Sequence, residues 1–450
     1  MLRPLIALLV VSARLAAQTP PAPPAADARV RAIVAAASAQ RLEADLRKLV
    51  SFGTRHSASD TVSATRGIGG ARRWIKAEFD RIAAACGGCL EVSYVSETWR
   101  GARLPRPTNV VSVVAVQRGT TDPDRYVVMS GHFDTRNSDP LNAVDDAPGA
   151  NDDGSGTVAV IESARLLSAH KFHATIVYAA LAGEEQGLNG GQTLSRIAKH
   201  QNWRLAGVLN NDIVGNTRGV DGVSEDTTVR VFSEGTPPTE TEAERNRRRF
   251  TGGEVDGISR QLARYIDRVA TKYVLGLDVW MIYRLDRYGR GGDHRAFADE
   301  GFAAVRFSET HEHYDRQHQN VRVENGVPYG DLIEGVNFPY LAKVTAVNAA
   351  SLASLAWAPS APRTVRVTGG VRPAAQMSWQ APEDSANVAG YRVYWRRTDS
   401  PTWDYSEWVG AATSHTFTGR VIDNFFFGVA SVSREGHESP VVFPTTPQGN

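Results

Sequence analysis

The sequence predicts two folded units: an α/β unit with a largely parallel central sheet, followed by a small all-β sandwich. Three observations carry this prediction. The chain has 450 residues, which is long for one domain. Apolar strand-like runs alternate with amphipathic helical patterns through most of its length, as they do in α/β folds. After a linker at 358–362, the pattern changes to short strands separated by turns, which is typical of a sandwich.

The α/β unit is predicted to span residues 29–357. Helices are expected at 29–50, 66–84, 156–168, 190–199, 254–273 and 337–356, and strands at 90–95, 109–116, 126–130, 174–181 and 205–210. The continuously apolar run at 174–181 fits a strand that is covered on both faces. Residues 216–290 differ, because a charge-dense stretch at 240–249 interrupts the alternation. We interpret 216–290 as an insertion that rims a site.

Residues 363–450 are predicted to form the sandwich. Strands are expected at 363–368, 374–379, 389–397, 413–417 and 424–433, with Trp379, Tyr391, Tyr394 and Phe427 at alternating positions. The tryptophan on the second strand and the Gly-Tyr-Arg-Val-Tyr run on the third resemble a fibronectin type III domain. Because the sandwich shows no catalytic cluster, we expect it to dock a partner, a carbohydrate or the α/β unit itself.

Composition and charge exclude several classes of protein. Lys and Arg number 50 and Asp and Glu number 49, so the net charge is +1, whereas nucleic-acid-binding chains carry a basic excess. Hydrophobic residues make up 42% of the chain, enough to bury a large core. Two cysteines are too few for a disulfide-dense scaffold or for a zinc site built from cysteines. The composition favours a globular protein without a nucleic-acid partner.

The N-terminus resembles a secretory signal peptide over residues 1–17. Met1-Leu2-Arg3 is a short basic start, an apolar run follows, and small residues stand at Ala16-Ala17. The apolar run is far shorter than the roughly 20 residues of a membrane-spanning helix, and we predict no transmembrane segment. We therefore expect export to the periplasm or the extracellular space, with 18–28 as a flexible leader.

The two cysteines stand close together in a Cys-Gly-Gly-Cys run. In the oxidising compartment that export implies, Cys86 and Cys89 form a small structural disulfide in one interpretation and a redox-active pair in the other. No thioredoxin-like pattern surrounds them, so we favour the structural disulfide.

Acidic residues and histidines recur where predicted strands of the α/β unit end, which is the edge where open α/β sheets bind ligands. They are His132 and Asp134, Asp152, Glu184 and Glu185, Asp212, and the histidines His311, His313 and His318. Taken singly, such residues are usually turn or helix-cap residues. Their recurrence at successive strand ends predicts one shared site.

These residue types suit a site for two zinc ions. Carboxylates and imidazoles are zinc ligands, and a carboxylate between two ions offsets their repulsion at the roughly 3.5–4 Å separation of two-metal sites. A further carboxylate must stay off the metals to take a proton from water. The adjacent Glu184 and Glu185 can divide these tasks between them.

The order of these motifs resembles the co-catalytic zinc aminopeptidase family over residues 30–357. That family includes bacterial leucine aminopeptidases and the peptidase domain of glutamate carboxypeptidase. The resemblance implies a zinc-exopeptidase fold with a mixed central sheet flanked by helices, two Zn²⁺ ions and peptide substrates. It implies metal ligands at His132, Asp152, Glu185 and Asp212, with Asp152 bridging, a general base at Glu184, and an orienting role for Asp134 toward His132.

Two positions depart from the family pattern. The last ligand is a histidine, for which His318 and His311 are both candidates; Asp315 follows His311 at the family's spacing, but His318 lies at the more usual distance after Phe307. We favour His318. Gly292, in Gly-Asp-His, stands where the resemblance expects a serine.

Alternative functions stay open at this point. A carboxypeptidase of the same fold needs a basic pocket for the substrate carboxylate, for which Arg284, Arg287 and Arg290 are candidates. A glutaminyl cyclase has a similar fold but uses one zinc ion, whereas the combination of Asp152, His132 and Glu185 favours two zinc ions. A receptor-like protein that has lost its metal is the non-enzymatic alternative, but every expected ligand type is present.

Overall fold

A computed structural model describes residues 22–444 and 446–447. The predicted signal peptide at 1–17 therefore lies outside the described residues, and the predicted leader is described only from residue 22. Within the described ranges, no helix combines the length and the apolar character needed to cross a membrane.

An eight-stranded mixed sheet forms the centre of the α/β unit. Its strands are β1 (Glu91–Gly101), β2 (Leu104–Gln117), β3 (Asp122–His132), β4 (Ala174–Leu181), β5 (Arg204–Asn211), β6 (Thr228–Ser233), β7 (Asp278–Ile282) and β8 (Ala304–Glu309). The spatial order is β1-β2-β4-β3-β5-β8-β6-β7. The central strands β4, β3, β5 and β8 run parallel, so their carboxyl ends meet at one edge. The predicted mixed sheet flanked by helices is confirmed.

Helices cover both faces of this sheet. They are α1 (Ala28–Ala35), α2 (Ala39–Val50), α3 (Gly67–Ala85), α4 (Gly156–Leu167), α5 (Asn189–His200), α6 (Glu242–Thr251), α7 (Ile258–Tyr273), α8 (His294–Asp299) and α9 (Phe338–Trp357). The core of one face includes Ile161 of α4 and Leu352 of α9. On the other face, Leu194 of α5 and Phe297 of α8 pack on strand residues such as Val128. Burial from both sides explains why β4 is apolar along its whole length.

The first predicted helix, at 29–50, is two helices in the structure. Ser38 has an extended backbone and its side chain accepts a hydrogen bond from the Arg41 amide at 3.3 Å. Because an N-cap residue has a non-helical backbone, Ser38 separates α2 from α1. The predicted apolar face of the second helix is confirmed, because Leu42, Leu46 and Leu49 are buried.

Residues 216–290, interpreted above as an insertion, contribute two strands of the central sheet and a helix that packs on them; their status as an insertion stays a prediction. β6 pairs antiparallel with β8 and parallel with β7. α7 buries Leu262 and Ile266 in the core below them. Only the charge-dense stretch forms an exposed helix, α6, which buries no residue.

The sandwich follows α9 as two small, mostly antiparallel sheets. A short hairpin, β9 (Arg322–Glu324) and β10 (Val327–Tyr329), precedes α9. The sandwich strands are β11 (Arg363–Thr368), β12 (Ala375–Gln380), β13 (Val388–Arg397), β14 (Tyr405–Gly410), β15 (Ser414–Phe417), β16 (Phe425–Ser433) and β17 (Thr446–Pro447). The sheet orders are β15-β12-β11-β17 and β14-β13-β16. Trp379, Tyr391 and Phe427 lie in the core that the two sheets share. The predicted all-β unit is confirmed, while its likeness to fibronectin type III stays a prediction.

Cys86 and Cys89 form a disulfide at the C-terminal end of α3. The bond closes the turn that leads from α3 into β1. The bond agrees with the favoured prediction, while its structural rather than redox-active role stays a prediction.

Candidate metal centre

The carboxyl edge of the central parallel strands gathers the predicted site residues. His132 is the last residue of β3, Asp212 directly follows β5, and the two glutamates follow β4. Gly131 allows strand β3 to approach the start of α4, because a Cβ atom at this position would lie 2.6 Å from the backbone of Gly156. The turn at 150–155 thereby brings Asp152 against His132.

The first group of side chains consists of His132, Asp152 and Asp212. Nε2 of His132 lies 3.3 Å from Oδ1 of Asp152 and 3.8 Å from Oδ1 of Asp212. All three residues are buried, and one ligand atom from each lies within 4.8 Å of the others. We call this group the first ligand set.

The second group shares Asp152 with the first. Nε2 of His318 lies 3.0 Å from Oδ2 of Asp152 and 2.9 Å from Oε1 of Glu185. Asp152 thus presents one carboxylate oxygen to each group. We call Asp152, Glu185 and His318 the second ligand set.

The chemistry of both sets fits zinc. Each combines carboxylate oxygens with an imidazole nitrogen, which are zinc ligands in proteins. Nε2 of His132 and Oε1 of Glu185 are buried atoms that make no hydrogen bond, and a buried polar atom without such a bond is costly unless something else satisfies it. A metal ion in each set would satisfy these atoms.

The negative charge of the carboxylates in the two sets also favours the binding of cations. Burial alone would lower the pKa of His132, but Glu184, Asp134 and the other carboxylates around it raise that pKa well above its ordinary value. Burial likewise opposes a charge on His318, yet Glu185 and Asp152 raise the pKa of that imidazole to about 10. Carboxylates this closely packed stabilise any positive charge placed among them.

Glu184 stands beside the two sets and belongs to neither. Its Oε2 lies 4.0 Å from Nε2 of His132, and its side chain is 12% exposed where that of Glu185 is 3% exposed. Burial and the neighbouring acids, Asp212 first among them, raise the pKa of Glu184 well above the ordinary range, although His132 opposes this. A carboxyl group with a raised pKa is a stronger base once it is ionised.

Asp134 supports both His132 and the turn that carries the two glutamates. Its Oδ1 lies 3.5 Å from Nδ1 of His132, and its backbone oxygen lies 3.1 Å from the same nitrogen. Its carboxylate also accepts the amides of Glu184 and Glu185, at 3.2 and 3.1 Å. A carboxylate that holds the far nitrogen of a ligating histidine fixes the orientation of the ring.

Two further carboxylates behind Asp152 were not predicted. Asp153 accepts the His132 amide at 2.9 Å and the Gly156 amide at 2.9 Å. Asp331 accepts the Asp152 amide at 2.6 Å, and burial raises the pKa of Asp331 to about 7. Asp153 directly follows Asp152 in the sequence, whereas Asp331 follows the β9–β10 hairpin, away from the other acids that the sequence singled out.

Of the two candidate histidines, the structure places only His318 among these side chains. Nδ1 of His311 instead lies 3.5 Å from a carboxylate oxygen of Asp221. In the described part of the chain, His311 joins neither ligand set. The choice of His318 therefore agrees with the geometry.

Arg136 contacts the second ligand set and was also missed. Its Nε donates to Oε2 of Glu185 at 3.1 Å, and its Nη2 lies 2.6 Å from Nδ1 of His318. It stands two residues after Asp134, so its position next to the predicted site residues was the available signal.

The arginines considered for a carboxylate pocket have other contacts. Arg287 and Arg290 lie 3.3 and 3.1 Å from Oε2 of Glu312. The guanidinium of Arg284 lies 5.6 Å from the ring centre of Tyr288. Arg287 and Arg290 are thus paired with an acid, and Arg284 lies over an aromatic ring.

The fold and the site define a metal-dependent hydrolase: a mixed sheet that carries two adjoining carboxylate–imidazole sets, with a free glutamate beside them. Residues 112–325 match the sequence model of peptidase family M28, and this range includes every residue from His132 to His318. A probable zinc metalloprotease of Pyrenophora tritici-repentis is 42% identical over 430 residues, which cover 94% of this chain and 88% of that protein. A probable zinc metalloprotease of Leptosphaeria maculans is 43% identical over 425 residues, which cover 94% and 98%. The chain belongs to peptidase family M28 and is a zinc metallopeptidase.

Solved structures share the fold at lower identity. The LapA aminopeptidase of Legionella pneumophila has a TM-score of 0.53 and 21% identity, covering 74% of this chain and 75% of that one. LapB of the same organism has a TM-score of 0.52 and 20% identity, covering 73% and 75%.

Proposed function

We propose that the protein is an exported aminopeptidase that removes N-terminal residues from peptides with the help of two zinc ions. The observation that carries this proposal is the pair of ligand sets that share Asp152, with Glu184 beside both and part of neither. LapA, which has this fold, is an aminopeptidase, and this supports the same activity here.

The two sets divide the metal-binding residues. His132, Asp152 and Asp212 would hold one ion, and Asp152, Glu185 and His318 would hold the other. When bound, two such ions lower the pKa of a water molecule and polarise the carbonyl of the scissile bond.

Glu184 is the proton carrier in this proposal. Its carboxylate takes a proton from the attacking water and then delivers it to the nitrogen of the departing amine, so the peptide bond is replaced by a carboxylate and a free amine. Asp134 fixes the Glu184 amide, which keeps the base in place between these two steps.

The acidity of the site favours an aminopeptidase over a carboxypeptidase. The free α-amine of a peptide is a cation, and Glu184 and Asp212 offer it carboxylates next to the scissile bond. A carboxypeptidase needs cations for the opposite terminus, and the arginines considered for that task contact Glu312 and Tyr288 instead.

Export rests on the predicted signal peptide at 1–17 and is supported by the disulfide between Cys86 and Cys89, since disulfides persist mainly in oxidising compartments. We propose a periplasmic or extracellular location. Detection of the protein in the periplasm or the culture medium, cleaved near Ala17, would test it; a full-length product that stays in the cytoplasm would contradict it.

A panel of aminoacyl-p-nitroanilides tests the activity. We expect hydrolysis that stops when a zinc chelator is added and returns when zinc is restored, and no hydrolysis of the same compounds with an acetylated amine. Dipeptides blocked at one end or the other provide the control. Cleavage of N-blocked but not of C-blocked dipeptides would replace the aminopeptidase proposal with a carboxypeptidase.

A further inference from the structure

Arg306 is a buried cation that touches the first ligand set. It lies on β8, and its side chain is fully buried. Its Nη2 lies 2.9 Å from Oδ1 of Asp212 and donates to the backbone oxygen of the same residue at 3.3 Å. Oδ1 is also the Asp212 oxygen that faces Nε2 of His132. Arg306 therefore holds the oxygen that Asp212 directs toward the first set.

A second carboxylate fixes Arg306 from its other side. Nη1 of Arg306 lies 3.0 Å from Oδ2 of Asp286 and donates to the Gly291 backbone oxygen at 2.9 Å. The side chain of Asp286 is 1% exposed. Because the guanidinium is planar and both of its terminal nitrogens are bonded, it has little freedom to turn.

Gly292 makes room for this arrangement. A Cβ atom at Gly292 would lie 3.1 Å from Nη1 of Arg306 and 3.3 Å from Oδ2 of Asp212. The family resemblance expects a serine at this position, and a serine would extend a hydroxymethyl group into the same space. The glycine thus leaves free the space that the guanidinium of Arg306 needs beside Asp212.

We propose that Arg306, Asp286 and Gly292 form a positioning unit that fixes the carboxylate of Asp212 for the first metal ion. The inference rests on the proposed function only in assigning metals to the two ligand sets. Residues that bond to a metal ligand set its orientation, and losing such a residue usually weakens metal binding by about 10–100-fold. Arg306 contacts the first set alone, so the effect falls on one metal and spares the other.

Zinc titration of the metal-free protein tests this unit directly. The substitution Arg306→Lys keeps the charge but loses the fork, and we expect it to weaken zinc binding at the first set by about 10–100-fold. The two sets are separated by background variants: His318→Ala leaves only the first set complete, and His132→Ala leaves only the second. In the His132→Ala background, which keeps only the second set, Arg306→Lys should change zinc affinity by less than about threefold.

A matched control uses another buried arginine. Arg260 is 1% exposed, and the residues it contacts, Ser233 and Tyr283, belong to neither ligand set. Arg260→Lys should leave zinc affinity unchanged in both backgrounds even if it lowers the stability of the fold. Equal losses at both sets, or an equal effect of Arg260→Lys, would reduce Arg306 to a general structural role and overturn the proposal.

Gentler variants keep the test decisive if Arg306→Lys does not fold. Gly292→Ser should press on Arg306 and Asp212 and weaken first-set binding, and Asp286→Asn should do so by releasing Arg306. Unchanged first-set affinity in both variants would contradict the positioning role. The readout is independent of turnover: a wild-type protein that binds two zinc ions without cleaving peptides would defeat the proposed function and leave this inference standing.

Discussion

Glu184 and Glu185 show how neighbouring residues of one type receive different tasks. Both amides bond to Asp134, so the backbone of this turn is fixed and the two side chains take different directions. Glu185 points to His318 and belongs to the second ligand set. Glu184 points toward the more exposed space beside His132. A rigid turn thereby separates a metal-binding task from a proton-transfer task.

The substitution Glu184→Gln tests this separation. It keeps the shape of the side chain but removes the base, so we expect peptidase activity to fall by about 10²–10⁴-fold. Zinc content should stay at the wild-type level, because Glu184 belongs to neither set. Elemental analysis and a p-nitroanilide assay on the same sample measure both quantities, and near-wild-type turnover would refute the role of Glu184.

Substituting the shared residue Asp152 should affect zinc binding differently from substituting Glu185. Because Asp152 presents an oxygen to each set, Asp152→Ala should reduce zinc binding at both. Glu185→Ala should reduce it at the second set only, leaving about one ion per chain. Zinc content after dialysis measures the difference. Equal losses in the two variants would show that the sets are not the separate units that the geometry indicates.

At the residue scale, the sequence predicted the members of both ligand sets and one supporting residue, Asp134, but missed the other supports. His132, Glu184 and Asp212 stand at strand ends inside short motifs, so their convergence could be predicted from a parallel sheet. Asp331 and Arg306 come from a loop and a buried strand that lie close to the site only after folding. A buried arginine in an apolar strand has no local pattern that assigns it a partner, so only the fold reveals its contact with Asp212.

At the scale of elements, the site depends on how closely β3 approaches the start of α4. Gly131 has no side chain at the point of contact, and a Cβ atom there would lie 2.6 Å from the backbone of Gly156. The neighbouring atoms are backbone atoms, which cannot move aside as a side chain can. The contact therefore controls both the packing of α4 and the distance between His132 and Asp152.

Gly131→Ala should accordingly lower the free energy of unfolding by about 1–3 kcal/mol, since overpacking at a rigid contact is destabilising. Gly101→Ala is the matched control: it also lies in a strand, but no atom lies within 4 Å of its added Cβ. The control should change the free energy of unfolding by less than about 0.5 kcal/mol. Urea unfolding of both metal-free variants makes the comparison, and equal effects would contradict the close contact.

Elements with a strong pattern were predicted well, and those without one were not. The strand at 174–181 was predicted with its exact limits, because an unbroken apolar run is buried on both faces. β6 was not predicted, although its residues alternate as in a half-buried strand, because it lies in the segment interpreted as an insertion. β14 was missed as well; it exposes several of its residues and lies near the edge of its sheet.

At the scale of the whole molecule, the sandwich is bonded to the α/β unit. Nη2 of Arg396 lies 2.6 Å from both carboxylate oxygens of Asp256, and Tyr283 donates to the Pro401 backbone oxygen at 2.7 Å. The curated relatives align over 94% of the chain. The unaligned part of the chain is shorter than the sandwich, so the alignments include most of the sandwich. Of the partners predicted for the sandwich, the α/β unit is the one these contacts favour; docking of carbohydrate or another protein stays a prediction.

A further contact of the sandwich, between His437 and Asp27, predicts that acid lowers the stability of the protein. His437 of the sandwich is 2% exposed, and its Nε2 lies 2.9 Å from Oδ2 of Asp27 at the start of α1. Burial lowers the pKa of His437 to about 4, although Asp27 opposes the shift. A histidine whose pKa is lower in the folded than in the unfolded protein binds its proton mainly after unfolding. Its contribution is therefore complete above about pH 6.5 and is lost as the pH falls toward 4.

We expect the wild type to lose up to about 3 kcal/mol of stability through His437 between pH 7 and pH 4. Other groups also titrate in this range, so the difference between the wild type and His437→Gln isolates the histidine. The glutamine variant should be less stable than the wild type at pH 7 and should approach it as the pH falls. Urea unfolding at several pH values tests this, and a difference that does not change with pH would disprove the effect.

The ion pair between Arg396 and Asp256 gives the strongest test of whether the two units act as one. Arg396 is fully buried, and Asp256 also bonds to Arg264 of α7 at 2.6 Å. Removing one partner of a buried pair is costly, so Arg396→Met should lower the free energy of unfolding by about 3–5 kcal/mol. The exposed pair of Arg363 and Glu383 supplies the control, and Arg363→Met should change stability by less than about 0.5 kcal/mol.

Hydrogen exchange shows where the loss from Arg396→Met falls. If the interface joins the units, amides of α7 should lose protection together with those of β13, because both elements meet at Asp256. Loss of protection confined to the sandwich would show instead that it is an independent domain attached to the peptidase. The result therefore decides whether α7, which covers β6 and β8 in the catalytic sheet, depends on the sandwich for its stability.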